Sequence, residues 1–449
     1  MFKRILIKGI KLPVKRIVSM AMCVLLALSA AALPVGCVKK ENDAKKESGA
    51  ASVLLSTVGA SLQTKKKKFG KDFSKSTVNF MYDVFKNGLT EGENSLVSPL
   101  SVLIALAMTE NGAEGETLEK MRSVISNGMD TETLNEYLAL YLSSLPNSEY
   151  AKLNIANSVW FREAPEVFAS GGKQLFTPNE AFLKKNADHY GADIFASPFD
   201  EGTVKAINGW VNEKTEGTID EIIKEISSDS IMCLINALLF EAEWHEKYLD
   251  VSVSEGTFTS IGGEERKAQM MHAGDYNYIE NADFTGFMRG YADPRFGFIA
   301  LLPKEGEDLY ECINRLTGEE LVNMIENIEY RQVQSAIPKF AFDYEIDLKQ
   351  TLMNMGMGIA FDPNAAQFGG VGTCEFGNIY IGKVLHKTHI EVDQRGTKAG
   401  AVTSVEMMCG SAFTTEEIKE VVLDRPFVFA IYDFEANIPV FIGTVTDIG

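Results

Sequence analysis

Between Leu385 and Ala412 the chain reads LHKTHIEVDQRGTKAGAVTSVEMMCGSA, and no other stretch restricts the fold so strongly. Residues 386–392 alternate as a strand does. Gly396 then allows a change of backbone direction that a side chain would hinder. The residues beyond it should form a surface loop, yet they include no Pro, Asn or Asp, the usual turn formers. Read with a period of 2, one face carries Thr397, Ala399, Ala401, Thr403, Val405 and Met407, all small or apolar and none charged. The other face carries Lys398, Gly400, Val402, Ser404, Glu406 and Met408. Every second residue of this loop can therefore enter a sheet without burying an unpaired charge.

The body of the chain has to supply that sheet. Ser98-Pro99 opens a helix with a capping hydroxyl and a proline in the first turn. Residues 100–108 are apolar almost all round, which predicts a buried helix. Amphipathic helices are expected at 116–126, 131–144, 179–190 and 203–216, with an alternating strand at 151–161. The continuous apolar run 231–240 predicts a central strand covered on both faces. Strands are expected after it at 265–281, 295–303, 329–342, 378–393, 421–433 and 438–446, interrupted by helices near 307–326 and 345–355. Helices followed by strands predict an α+β fold with large sheets.

The first residues point outside the cytoplasm. Lys3, Arg4, Lys8, Lys11, Lys15 and Arg16 precede an apolar run, 17–32, and then Leu-Pro-Val-Gly-Cys at 33–37. As a helix that run would span about 24 Å, short of a hydrocarbon core of ~30 Å. The pattern is that of a signal peptide, 1–36. Gly36-Cys37 resembles a bacterial lipobox, with Pro34 where Leu is usual, so Cys37 is the expected lipidation site and the protein is envelope-anchored or secreted. Residues 37–72, ending in Lys65–Lys68, read as a flexible tether, and 73–449 as one domain.

The whole chain has a formal charge of −19. Loss of the leader takes six cations with it, leaving about −25, which opposes phosphate binding, so no nucleic-acid partner is expected. Cys233, inside the apolar run, is expected to be a small buried hydrophobe. Cys312, Cys374 and Cys409 show no zinc spacing, and whether any of them pair is open. His386 and His389, three apart on a strand, face opposite sides and suit no common ion. The glycines at 369–372 predict a loop. The sequence has no phosphate-cradling loop, HExxH or nucleophile elbow. Neither an enzyme activity, a metal nor a cofactor is expected.

Several blocks occur in a telling order: NSLVSPLSVLIALAMTENGAEGET, IANSVWF, INGWVNEKTEGTI, INALLFEAEWHEKY, AIPKF, HKTHIEV with Gly-Thr, and DRPFVFAIYD with VFIGTVTD. Together they resemble the serpins from Phe73 to the end of the chain. The resemblance implies three β-sheets, about eight to nine helices and an exposed reactive-centre loop. It also implies an irreversible suicide-substrate inhibitor of extracellular serine proteases. The protease cleaves the loop and is held as an acyl-enzyme while the loop adds to the central sheet, a known example of β-strand addition. The uncleaved form would persist through a kinetic barrier.

Residue by residue, the resemblance makes Gln394, Gly396, Thr397, Ala399, Ala401 and Thr403 the hinge. Ser98, Ser101, Asn236 and His386 become the polar shutter under the gap, and Trp244 the breach where the loop enters. A charge at Thr397 would stall entry. Gln394, Arg395 and Lys398 stand where the family often has acids, and Gln394 is expected to weaken a hinge salt bridge. Family spacing puts the scissile bond at Gly410–Ser411, with Met407, Met408 or Cys409 as alternatives because the segment before Pro426 is longer than usual. All are uncharged. The expected targets are elastase- or subtilisin-like serine proteases, with papain-like cysteine proteases possible. Two further readings are a non-inhibitory serpin and a surface ligand-binding lipoprotein.

Overall fold

The run expected to be a central strand is one. In the computed structural model Met232–Glu243 lies in a seven-stranded sheet, its alternate residues facing two different cores. The structure describes residues 52–55, 62–162, 176–227, 230–375, 377–397 and 418–449. These all belong to one compact unit, Glu47–Gly449. In chain order the strands of the first sheet are β1 (Ser52–Leu55), β2 (Ala151–Arg162), β3 (Asp193–Ser197), β4 (Met232–Glu243), β5 (Phe340–Asp347), β6 (Leu385–Val392) and β7 (Gly396–Thr397). Across the sheet they run β1-β3-β2-β4-β7-β6-β5.

A nine-stranded sheet packs behind it. From one edge it contains Lys419–Val422, Glu329–Pro338, Glu265–Glu280, Phe284–Gly290, Phe296–Pro303, Phe427–Asp433, Ile438–Val445 and Ser95–Val97, with Val253–Thr259 beside Glu265–Glu280. A two-stranded sheet, Phe176–Pro178 with Gly372–Cys374, completes the three. Nine α-helices surround them among the described residues. Those nearest the site are α1 (Lys71–Asn87), α2 (Pro99–Glu110), α3 (Gly115–Ser126), α4 (Thr131–Ser143), α5 (Glu180–Tyr190) and α6 (Glu201–Lys214).

Helix α2 is buried on every side, as its unbroken apolar sequence requires, and touches both β4 and Ile438–Val445. Leu234, Leu238 and Phe240 of β4 face this main core. Ile235 and Ala237 point the other way, under α6, where Trp160 stacks on Phe195 at 4.1 Å beside Ile207 and Trp210.

Several boundaries differ from expectation. The strand expected at 329–342 is two, because the chain leaves one sheet at Pro338 and enters the other at Phe340. Proline supplies no N–H for a continuing ladder. The stretch 421–433 likewise divides before Phe427, around Pro426. The strand expected at 378–393 starts only at Leu385. The helix expected at 345–355 starts at Lys349, after β5 ends. Thr317 opens a new helix with a capping box, which splits 307–326 into Leu309–Arg315 and Gly318–Glu326. Helix α1 and the strands Val253–Thr259 and Phe284–Gly290 had no counterpart in the sequence reading. Parts of the stretch read as a tether are docked: β1 pairs with β3, Lys65 N–H donates to Glu136, and Lys66 lies 3.9 Å over the Tyr137 ring.

Candidate functional site: a strand-wide gap and its hinge

Strands β2 and β4 pair antiparallel from Ala151↔Ala242 to Phe161↔Met232. On the far side β5 and β6 pair from Phe340↔Val392 to Asp347↔Leu385. Between these halves, among the described residues, stands β7 alone, antiparallel to both, through Gly396↔Glu243, Thr397↔Ala242 and Val392↔Thr397. It follows that β4 and β6 are parallel. Below β7, among the described residues, no further pairing forms on their facing edges. Leu234 and Leu238 are only half-buried in consequence, although they face the core. Cys233, expected to be buried, is half-buried for the same reason.

The upper end of the gap is closed by a hairpin turn. Asp393 N–H donates to Gly396 O at 3.0 Å, and Asp393 Oδ1 accepts from Arg395 N at 2.7 Å and Gly396 N at 3.2 Å. Trp244 grips the turn twice, donating from its backbone N–H to Arg395 O at 2.9 Å and from its indole to Asp393 O at 2.8 Å. Its ring stacks on Tyr291 at 4.7 Å, and the Tyr291 hydroxyl meets Thr397 Oγ1 at 2.6 Å. Thr397 is 3% exposed. A Cβ on Gly396 would lie 2.0 Å from Ala242 O, so this position needs glycine for close approach. Arg289, paired with Asp275 at 2.9 Å, covers the Tyr248 ring at 4.1 Å.

Gln394 uses both ends of its amide. Lys339 Nζ donates to its Oε1, and its Nε2 donates to Asp250 Oδ1 at 3.1 Å. A neutral side chain thus bridges a cation and an anion. Glutamate in its place would meet the Asp250 carboxylate.

Halfway down the gap, polar groups from both sides converge. Ser98 caps α2, donates from Oγ to Val440 O at 2.9 Å and gives its backbone N–H to His386 Nε2 at 2.9 Å. That nitrogen is therefore an acceptor, and burial pushes the imidazole pKa down to about 4, so the ring is neutral. Ser101 Oγ donates to Asn236 Oδ1, and Asn236 Nδ2 donates to Asn157 Oδ1 at 2.7 Å. Thr388 Oγ1 donates to Leu96 O at 2.8 Å. All four shutter residues named from sequence thus lie at the gap, with α2 touching β4 through Ser101 and β6 through Ser98. Asn157, Thr388 and Tyr291 were missed. Thr388 shares the face of His386, and Asn157 stands opposite Asn236 in register, so alternation could have found the first and pairing the second. Tyr291 carried no local signal.

Ala399, Ala401, Thr403, the scissile candidates Met407, Met408, Cys409, Gly410 and Ser411, the leader and Cys37 lie outside the described residues. His386 and His389 do face opposite ways, His389 bonding Asp343 at 2.8 Å. Cys233, Cys312 and Cys374 are free thiols, so Cys312 and Cys374 are not joined to each other. Asp283, Glu307 and Cys312 cluster closely enough for an ion, but Arg315 occupies the centre, 2.7 Å from Asp283, 2.5 Å from Glu307 and 3.3 Å from Cys312 Sγ. The guanidinium is the counter-charge there.

Comparison with known proteins agrees with this architecture. The profile of the family described as Serpin (serine protease inhibitor) matches residues 75–448. A serpin-like protein of Thermococcus kodakarensis is 31% identical over 81% of this chain and 83% of its own. Human antithrombin-III is 26% identical over 84% of this chain and 82% of its own. Among solved structures, tengpin, a thermophilic serpin, is 42% identical. Its native state matches with a TM-score of 0.80, covering 88% of this chain and 99% of that one. Its latent state matches at 0.75, covering 86% and 100%. A sheet whose gap is crossed, among the described residues, by Gly396–Thr397 alone, and a family match over residues 75–448, place this chain among the serpins.

Proposed function

We propose that this serpin inhibits serine proteases outside the cytoplasm as a suicide substrate. The observation that carries the reading is the register of β7. Continued from Thr397↔Ala242 and Thr397↔Val392, it would bring Ala399 between Phe240 and Ile390, Ala401 between Leu238 and Thr388, and Thr403 between Asn236 and His386. The alanines would meet Phe240, Ile390, Leu238 and Thr388, and the Thr403 hydroxyl would arrive between Asn236 and His386. Completed pairing would also cover the half-buried Leu234 and Leu238, about 25 cal/mol for each Å² of apolar surface removed from water.

In this reading the protease serine attacks a loop carbonyl, forms the acyl ester and expels the new amine. Insertion of the freed strand then drags the protease to the far pole and distorts its active site, so that the ester hydrolyses very slowly. We place the cleavage at Gly410–Ser411, with Met408 and Cys409 next in order. Elastase- or subtilisin-like enzymes fit such uncharged residues, and a cysteine protease is the secondary candidate. The leader and Cys37 support secretion or a lipid anchor in the envelope.

The test is denaturing electrophoresis after mixing the protein with subtilisin- and elastase-like proteases. A boiling-resistant band at the summed mass is the expected result. Cleavage without that band, and without a rise in Tm, would make this a non-inhibitory serpin.

A further inference from the structure

Helix α2 has a second polar end. Glu110, its last residue, is 1% exposed. Thr131 Oγ1 donates to Glu110 Oε1 at 2.5 Å while accepting from Arg122 Nε at 2.9 Å and Nη2 at 2.7 Å. Arg122 Nε itself lies 3.7 Å from Oε1. Oε2 is buried with no hydrogen-bond partner. A carboxylate here is also disfavoured by the negative end of the helix dipole.

Next to it, Asn111 begins a chain of buried and partly buried hydrogen bonds. It accepts from Asn135 Nδ2 at 2.8 Å, and the Tyr190 hydroxyl donates to Asn135 Oδ1. Asn157 Nδ2 donates to Tyr190 O at 2.9 Å, Asn236 donates to Asn157, and Ser101 donates to Asn236. The path leaves α2 at Asn111 and returns to it at Ser101 after crossing α4, α5, β2 and β4. Its far corner is the edge of the gap.

We propose that Glu110 is a proton-operated lever. Binding a proton there seats the C-terminal end of α2 between α3 and α4, and losing it loosens the frame that holds β4 beside β6. The inference rests on the reading that a strand adds in the gap. Charged or titratable groups acting on Glu110 among the described residues are Arg122 of α3 and Asp130, the cap of α4, with the Tyr190 hydroxyl of α5 on the other side.

Burial raises the Glu110 pKa to about 7, against which Thr131 and Arg122 act. Between the ordinary carboxyl range and that value the native protein holds a proton that the unfolded chain has lost. Stability from this site is therefore full in mild acid and declines as pH rises towards 7.

The test uses the full protein and a synthetic peptide of residues 396–407, whose uptake as a strand is followed by native electrophoresis from pH 5.5 to 8.5. In the wild type, uptake should accelerate about tenfold with rising pH, with a midpoint near 7. Glu110→Gln should flatten the profile, and Arg122→Met should move the midpoint to higher pH. Asn236→Ala, which cuts the path at β4, should flatten the uptake profile but leave the pH dependence of thermal unfolding. A wild-type profile in Glu110→Gln overturns the lever, and an unchanged uptake profile in Asn236→Ala overturns its route. No uptake by any form at any pH overturns both the lever and the insertion reading.

Discussion

The two large sheets share residue types but not the state of their edges. In the nine-stranded sheet, Phe427–Asp433 is buried at every position and is paired on one side with Phe296–Pro303 and on the other with Ile438–Val445. Phe429 there stacks on Phe298 at 5.6 Å. In the seven-stranded sheet, β4 is also largely apolar, yet among the described residues one of its edges meets only Gly396 and Thr397. The nine-stranded sheet has realised its burial. The seven-stranded sheet holds some back, and that reserve is what the proposed strand addition would release.

The same truncation should separate the two sheets most clearly. Phe429→Ala is expected to lose about 3–5 kcal/mol, whereas Leu238→Ala, at a half-buried site, should lose roughly 1–1.5 kcal/mol. Denaturant midpoints compare them, and equal losses would erase the distinction. Acid probes the shutter. With His386 held neutral, stability is complete above pH ~6.5 and falls as pH drops towards 4, by on the order of 3 kcal/mol at the limit. Thermal scans of His386→Gln should lack that component. This acid loss has the opposite sign to the Glu110 effect.

Gly396→Ala tests the hinge. Its Cβ cannot stand 2.0 Å from Ala242 O, so β7 must leave the sheet, at a cost of about 1–3 kcal/mol. Hydrogen exchange at Thr397 would report it, and continued protection would mean that the backbone adjusts. The smallest effect should come from Gln394→Glu, under about 1 kcal/mol at this partly exposed site. Adding Asp250→Asn should recover it if the two carboxylates repel, as equilibrium unfolding of the single and double variants would reveal.

Legibility in the sequence followed range. Ser98, Ser101, Asn236 and His386 were found because each lies in a distinctive block, and they are hydrogen-bonded across α2, β4 and β6 beside the gap. Trp244 was found in the same way, but its partner Tyr291 lies between two strands with nothing nearby to mark it. The splits at Pro338 and Pro426 were missed because alternation continues through them. Periodicity reports a strand and says nothing of which sheet receives it.

The buried character of α2 and the polar residues beside the gap were legible in the sequence alone, because those follow from local spacing and side-chain chemistry. Only the tertiary structure decided that β4 and β6 stand apart, that Gly396 is needed for contact with Ala242, that Gln394 bridges Lys339 and Asp250, and that Glu110 is buried. Each of these depends on segments distant in the chain. An open edge, a close approach and a desolvated charge are properties of what lies alongside a residue, which its sequence neighbours do not specify.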